Sequence, residues 1–213
     1  MSCTLYLIRH GQSLGNVAKA FLGHTDLDLS ELGYRQAECT AKFLIQRKID
    51  TVYSSDLLRA YNTCSEYLKL SNKTAIKDQN LREIFAGSWE NNTFDTLQTV
   101  FNDTYSVWLN DIGNAHPNDG EPVKDLTQRV IKCITKIAEE NDGKSVAIFT
   151  HATVIRSFFN YAYGNSADSM KNLRWATNAS VSIAEFDNGK FSVIDYSIDD
   201  FLSDLKTSFP ANV

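Results

Sequence analysis

The chain reads as an α/β protein, a three-layer α/β/α sandwich with a mostly parallel central sheet and a small inserted helical cap. Three observations predict this. Short apolar runs (Thr4 to Ile8, Thr51 to Tyr53, Ser145 to Thr150) alternate with longer segments whose apolar residues recur at helical spacing, the order that builds a parallel sheet covered by helices. Two of these runs end abruptly in polar residues, Arg9-His10-Gly11 and His151. No linker, repeat or low-complexity tract divides the 213 residues, so one domain over 1–213 is expected, long enough for a sizeable core.

The elements follow in order. Thr4 to Ile8 is the first strand. Ser30-Glu31 opens a helix with Ala37, Ala41, Leu44 and Ile45 on one stripe, running to about Lys48. Thr51 to Tyr53 is a strand, and Ser54-Ser55-Asp56 reads as a strand end and a Ser/Asp cap for a helix from Leu57 to Leu70. Thr74 to Ile76 suits a short edge strand. Pro122 stands at a helix start, where proline is well tolerated, and Val123, Leu126, Val130, Ile134 and Ile137 carry the stripe that follows. That helix ends near Asn141-Asp142-Gly143. The strand ending at His151 leads into a helix from Ala152 to Tyr163. Ser180 to Phe186 and Phe191 to Tyr196, joined by Asn188-Gly189, form a terminal hairpin.

At the carboxyl ends of strands in an open α/β sheet, residues face the crevice where ligands bind. Arg9 offers a planar fork for two phosphate oxygens, and a neutral His10 offers a ring nitrogen able to attack phosphorus. Arg59 falls in the first turn of its helix, where the N-terminal partial charge favours anions. Two strands that each deliver a histidine, and a helix that delivers an arginine, can meet at one crevice.

Composition narrows the setting. The hydrophobic share of 43% is ordinary for a globular protein. No apolar stretch approaches the ~20 residues of a membrane span, and Met1-Ser2-Cys3-Thr4 lacks the basic region of a signal peptide. Cys3, Cys39, Cys64 and Cys133 are scattered without paired spacing, as expected of reduced thiols in a cytoplasmic protein without a zinc site. A net charge of −5 leaves no electrostatic footprint for nucleic acid. Assembly into a homo-oligomer stays open.

Six blocks in order carry a resemblance: Arg9-His10-Gly11; Gly23-His24-Thr25-Asp26-Leu27-Asp28-Leu29-Ser30 with Gly33, Gln36 and Ala37; Ser55-Asp56-Leu57 with Arg59, Ala60 and Thr63; Leu81-Arg82-Glu83 with Gly87 and Trp89-Glu90; Thr150-His151; and Asn178-Ala179-Ser180. Together they span Leu5 to about Phe186 and resemble the histidine phosphatase superfamily, the phosphoglycerate-mutase-like clan, in its phosphatase-type branch. The resemblance implies a metal-independent phosphoric monoester hydrolase without a cofactor, acting on a small-molecule phosphate ester. His10 resembles the nucleophile and Glu83 the proton donor. Arg9, Arg59 and His151 resemble the phosphate pocket, with His151 expected to be protonated. Asn16 resembles a further donor to phosphate, and Leu22, Gly23 and Ala152 fall where the family contacts substrate. His24 falls at the pocket rim, whereas His116, beside Pro117, reads as an exposed loop residue.

Each residue also has a plainer reading. Arg59 can pair with Asp56 on an exposed turn, His151 can be a satisfied core histidine, and Glu83 can be a surface acid. Should Glu83 prove structural, Glu90 or Glu121 is the next proton donor. Three positions depart from the family pattern: Ala152 replaces a common Gly after the second His, Pro122 a small hydroxyl residue, and Asn91 a Gly after Trp89-Glu90.

The inserted cap is placed at about 84–121. From Ile84 to Val123 there is no Lys or Arg, while Glu90, Asp95, Asp103, Asp111, Asp119 and Glu121 are present with Phe85, Trp89, Phe94, Phe101, Tyr105 and Trp108. The mutases of the clan keep cations there for a second acidic group. This composition favours hydrolysis of a phosphate ester whose alcohol is neutral, cationic or partly apolar. The alternatives are a phosphoglycerate-type mutase and a non-catalytic phosphate-binding regulatory protein.

Overall fold

The computed structural model describes residues 2–207. Six strands form one sheet: β1 (Cys3–Arg9), β2 (Thr51–Ser54), β3 (Ala75–Lys77), β4 (Ser145–Thr150), β5 (Val181–Asp187) and β6 (Lys190–Ile198). Their spatial order is β3-β2-β4-β1-β5-β6. The first four are mutually parallel, and β5 and β6 add on antiparallel. Buried on both faces, β1 and β4 are nearly continuous apolar runs, as central parallel strands are.

Alternate residues of these strands serve opposite layers. Leu5, Leu7, Val146 and Ile148 pack with α6 (Val123–Glu140) and α7 (Ala152–Ala162). Ile8, Ala147 and Phe149 pack with Ala41 and Leu44 of α2 (Glu31–Ile45) and Cys64 and Tyr67 of α3 (Leu58–Ser71). The alternation is the two-residue period of a strand. Residues 84–121 carry α4 (Phe94–Val100) and α5 (Asn102–Asn110), and α1 (Leu14–Val17) is a single turn. Trp89, Leu97, Tyr105 and Trp108 are buried in the same cluster as Leu5 and Leu7. The aromatic residues of this segment are thus largely core, while Phe85 is exposed.

Local signals explain most boundaries. Ser30 caps α2 by accepting from Gly33 N at 3.0 Å. Asn188 and Gly189 both have positive φ, 50° and 78°, as a two-residue type I′ hairpin turn requires. Asn91, standing where the family often has Gly, takes φ 65°, a left-handed conformation that Asn tolerates better than most side chains. The cap of α3 departs from expectation. Leu57 stands at its N-cap without a side-chain bond, and the helix is capped across space by Asp26, whose Oδ1 accepts from Leu58 N at 2.6 Å. Asp56 is diverted to an ion pair with Arg82.

Candidate active site

Strand register builds the site. β1 and β4 run parallel with Arg9 opposite Thr150, so the next residues, His10 and His151, emerge side by side with ring centroids 5.3 Å apart. His10 N donates to Thr150 O at 3.0 Å, and Ala179 N and Asn178 Nδ2 both donate to His10 O at 3.1 Å. Gly11 N donates to Thr63 Oγ1 at 3.0 Å, and that hydroxyl donates to Arg59 O. A Cβ on Gly11 would lie 2.5 Å from Gly33 O; only glycine lets the two backbones approach this closely.

A pocket of about 550 Å³, open to solvent, lies at these strand ends. Its lining includes Arg9, His10, Asn16, Leu22, Gly23, Arg59, Glu83 and Ala152, so eight of the nine residues singled out in the sequence meet there. The ninth, His151, is fully buried and meets the site through His10.

His10 Nδ1 lies 2.7 Å from Gly11 O. A carbonyl only accepts, so Nδ1 carries the ring proton and Nε2 keeps its lone pair. Burial, Arg59 and Arg9 together hold the His10 imidazole well below its ordinary pKa. Arg59 is 1% exposed and donates to Gly23 O at 2.8 Å and Thr25 O at 2.9 Å, which excludes the pairing with Asp56. Arg9 Nη1 donates to Ala176 O at 2.5 Å. Burial brings both guanidiniums down to about 10, against the pull of Glu83 that favours their charge; both remain cations at neutral pH.

Glu83 is tied to the floor by two backbone donors. Its Oε1 accepts from Ile84 N at 2.9 Å and its Oε2 from Thr153 N at 3.2 Å, in the first turn of α7. The Glu83 backbone is clamped as well. His24 Nε2 lies 2.9 Å from Glu83 O, and Arg129 reaches the carbonyls of Asn80 (2.8 Å), Arg82 (3.1 Å) and Glu83 (3.4 Å). Asn16 accepts through Oδ1 from Ser13 N and Asn178 Nδ2, which leaves its amide nitrogen as a donor.

Three expectations change. Against the expected protonated ring, burial first, then Arg59 and His10, push the His151 pKa well below the ordinary value. Its Nε2 lies 2.9 Å from Ser55 Oγ, and its buried Nδ1 has no hydrogen-bond partner. Glu121 is committed to Arg129 at 2.7 Å, and Glu90 accepts from His24 N, Thr25 Oγ1 and Ala86 N. Neither lines the pocket, so neither stands in reserve for Glu83.

Two further lining residues, Phe21 and Trp175, carry no signal in the cap composition, whereas Trp108 and Phe94 are among its aromatic residues. Phe21, Trp108 and Trp175 line the pocket with Phe94. Trp175 precedes Asn178-Ala179-Ser180 by three residues, and that proximity to a matched block was the only sequence signal for it. His24 is half-buried, with its ring on the backbone of Glu83 rather than in the pocket lining, and His116 is exposed. Among the described residues, no group of three or more His, Cys, Asp or Glu side chains is placed to hold a metal ion, and no helix is long and apolar enough to cross a membrane.

Residues 5–199 match the family model of the histidine phosphatase superfamily, branch 1. The chain belongs to the histidine phosphatase superfamily. It is 30% identical over 151 residues to the adenosylcobalamin/alpha-ribazole phosphatase of Salmonella typhimurium, covering 71% of this chain and 75% of that one. It is 27% identical over 193 residues to phosphoglycerate mutase-like protein 4 of Arabidopsis thaliana, covering 89% and 82%. Among solved structures, YhfR of Bacillus stearothermophilus superposes with a TM-score of 0.89 at 27% identity, covering 93% of this chain and 99% of that one. The mixed α/β fold is that of this superfamily's phosphatases.

Proposed function

We propose that this protein hydrolyses a small phosphate monoester in two displacements through a phosphohistidine on His10. The observation that carries the reading is the state of His10: its proton is fixed on Nδ1 by Gly11 O and its ring is kept neutral by burial between Arg9 and Arg59. A histidine so held is a nucleophile at any ordinary pH.

The steps follow from the geometry. Nε2 forms a bond to phosphorus as the ester P–O bond breaks. The departing alkoxide takes a proton from Glu83, whose carboxyl lines the same pocket. Water then attacks the phosphohistidine, Glu83 accepts its proton, the P–N bond breaks and its electron pair returns to Nε2. Arg9 and Arg59 face the charge on the transferring group throughout. The phosphate dianion also acts on His151, whose ring stands 5.3 Å from that of His10: negative charge so near favours the imidazolium. Asn16 Nδ2 and the backbone around Ala152 complete the cradle, and Leu22 and Gly23 bound the ester side.

Residues 84–121 act as a cap inserted into a single domain, and their lack of Lys and Arg favours hydrolysis over a mutase reaction. Arg9 and Arg59 are the cations among the pocket-lining residues, which leaves none for a second acidic group. Four free cysteines, three of them buried, support a reducing, cytoplasmic setting.

Rapid mixing with ³²P-labelled ester followed by an alkaline quench tests the reading. Acid-labile label on His10 is expected, and His10→Ala should lose it and turnover while the fold survives. Label on Ser, Asp or Cys overturns the proposal.

A further inference from the structure

The connection leading into β5 meets the site through residues 175, 176, 178 and 179. Trp175 stands with Phe21, Phe94 and Trp108 in the aromatic wall of the pocket. Ala176 O accepts from Arg9, and Asn178 Nδ2 and Ala179 N both donate to His10 O at 3.1 Å. Ala179 sits at φ 59°, a left-handed conformation that a residue with a Cβ keeps only where its surroundings enforce it.

Asn178 does more than pin one carbonyl. It is fully buried, and its amide has a single possible orientation. His10 O only accepts, so the Asn178 nitrogen must face it, and the second hydrogen of that nitrogen goes to Asn16 Oδ1 at 3.2 Å. The Asn178 oxygen then faces Thr207, whose hydroxyl donates to it at 3.0 Å. The same logic fixes Asn16. Ser13 N only donates, so Asn16 Oδ1 faces Ser13 and Asn178, and the Asn16 nitrogen is left to face a phosphate.

The segment that supplies Thr207 is itself anchored. Phe201 stacks on Phe43 of α2 with ring centroids 4.3 Å apart. Leu205 O accepts from Gln36 Nε2, and Gln36 Oε1 accepts from Gln12 N, both at 2.8 Å. Residues 205–207 therefore support the nucleophile loop on both sides of Gly11, through one buried amide each: Gln36 for Gln12, and Asn178 for His10.

We propose that Asn178 is a positioning residue for phosphate binding, which turns the Asn16 amide toward the anion and is itself aligned by Thr207. The inference rests on the phosphatase reading and extends its machinery beyond the pocket lining. Neither Asn178 nor Thr207 lines the pocket, so both act through Asn16. Without the Thr207 hydroxyl, the Asn178 amide is tethered by its nitrogen alone. Without Asn178, the Asn16 oxygen keeps one tether, Ser13 N.

Orthophosphate binding followed by calorimetry, which needs no turnover, tests this. Thr207→Val keeps the shape and loses the hydroxyl; Asn178→Ala loses the amide. Each should raise the orthophosphate Kd about three- to tenfold, the size of one neutral hydrogen bond. Thr207→Ser, which keeps the hydroxyl, should match wild type. In an Asn16→Ala background neither change should weaken binding further, because the group they act through is gone. A merely structural role lowers Tm without moving Kd, or gives losses that multiply in that background. An unchanged Kd in Thr207→Val or Asn178→Ala, an equal loss in Thr207→Ser, multiplying losses, or a wild type that binds no orthophosphate each overturns the proposal. Should Asn178→Ala not fold, the two Thr207 variants and the Asn16→Ala background decide. The two readings fail separately: a wild type that binds orthophosphate but hydrolyses no phosphate ester refutes the phosphatase reading, while the Kd series still judges the positioning of Asn16.

Discussion

Arg129→Met tests whether the Glu83 segment is held from behind. Arg129 makes a two-pronged pair with Glu121 at 2.9 and 2.7 Å and reaches three backbone carbonyls. Both side chains of the pair are about a fifth exposed, 20% and 19%. An exposed pair is worth about 0–1 kcal/mol, and breaking a buried one costs about 3–5. This pair lies between, and the abandoned carbonyls add to the loss, so about 3 kcal/mol is expected for the variant. For a chain of this size that is roughly 6–12 °C in Tm. Lysine reaches one partner at a time and cannot reproduce the fork, so Arg129→Lys should fall between wild type and Met. The catalytic readout separates positioning from mere support. A Glu83 held less firmly protonates a poor leaving group less well, while a nitrophenolate hardly needs the proton. Turnover of benzyl phosphate should drop about tenfold more than that of 4-nitrophenyl phosphate, a modest part of the usual gain from acid catalysis. Loss of stability with an unchanged ratio of the two rates would refute the positioning argument, and unchanged stability would refute the energetic one.

Two further outcomes follow from the site. Because His10 and His151 are held well below their ordinary pKa, the native protein excludes protons that the unfolded chain takes up below about pH 6.5. The stability they confer is present above that pH and is lost as pH falls, by up to about 2.7 kcal/mol per pH unit for the two groups. Urea midpoints between pH 7 and 5 should show this slope, and a His10→Asn/His151→Asn double variant should flatten it; equal slopes would contradict the buried neutral pair. Glu83→Gln should slow benzyl phosphate far more than 4-nitrophenyl phosphate in the first step, with a burst on the aryl ester before slow turnover. Equal losses without a burst would assign Glu83 a structural role.

The sheet and the main helices were legible because their signals are local. Apolar runs, Ser30 as a cap and Asn188-Gly189 as a turn act within a few residues of themselves. Arg9, His10, Gly23, Arg59 and Glu83, which line the pocket, were legible through the blocks of the family resemblance. Features set by distant partners were not. Asp26 caps α3 from 32 residues away, and Asp56, the residue that looks like the cap, is drawn off by Arg82. The charge of His151 depends on full burial beside Arg59 and His10, which no spacing reveals. Trp175 reaches the pocket only because the chain, having left α7, folds back until Trp175 stacks on Trp108.

The aromatic wall also constrains how such an enzyme can change. Trp108 and Phe21 belong to the same buried cluster as Leu5 and Leu7 of the central strand, so a mutation that reshapes the ester side also removes material from the core. Cutting back a buried aromatic side chain costs about 3–5 kcal/mol, much of a typical domain's margin of about 5–15. Phe94 and Ala20 line the pocket without being fully buried. New specificities should arise first at these two positions, leaving the tryptophans as inherited framework that drifts only after stabilising changes elsewhere.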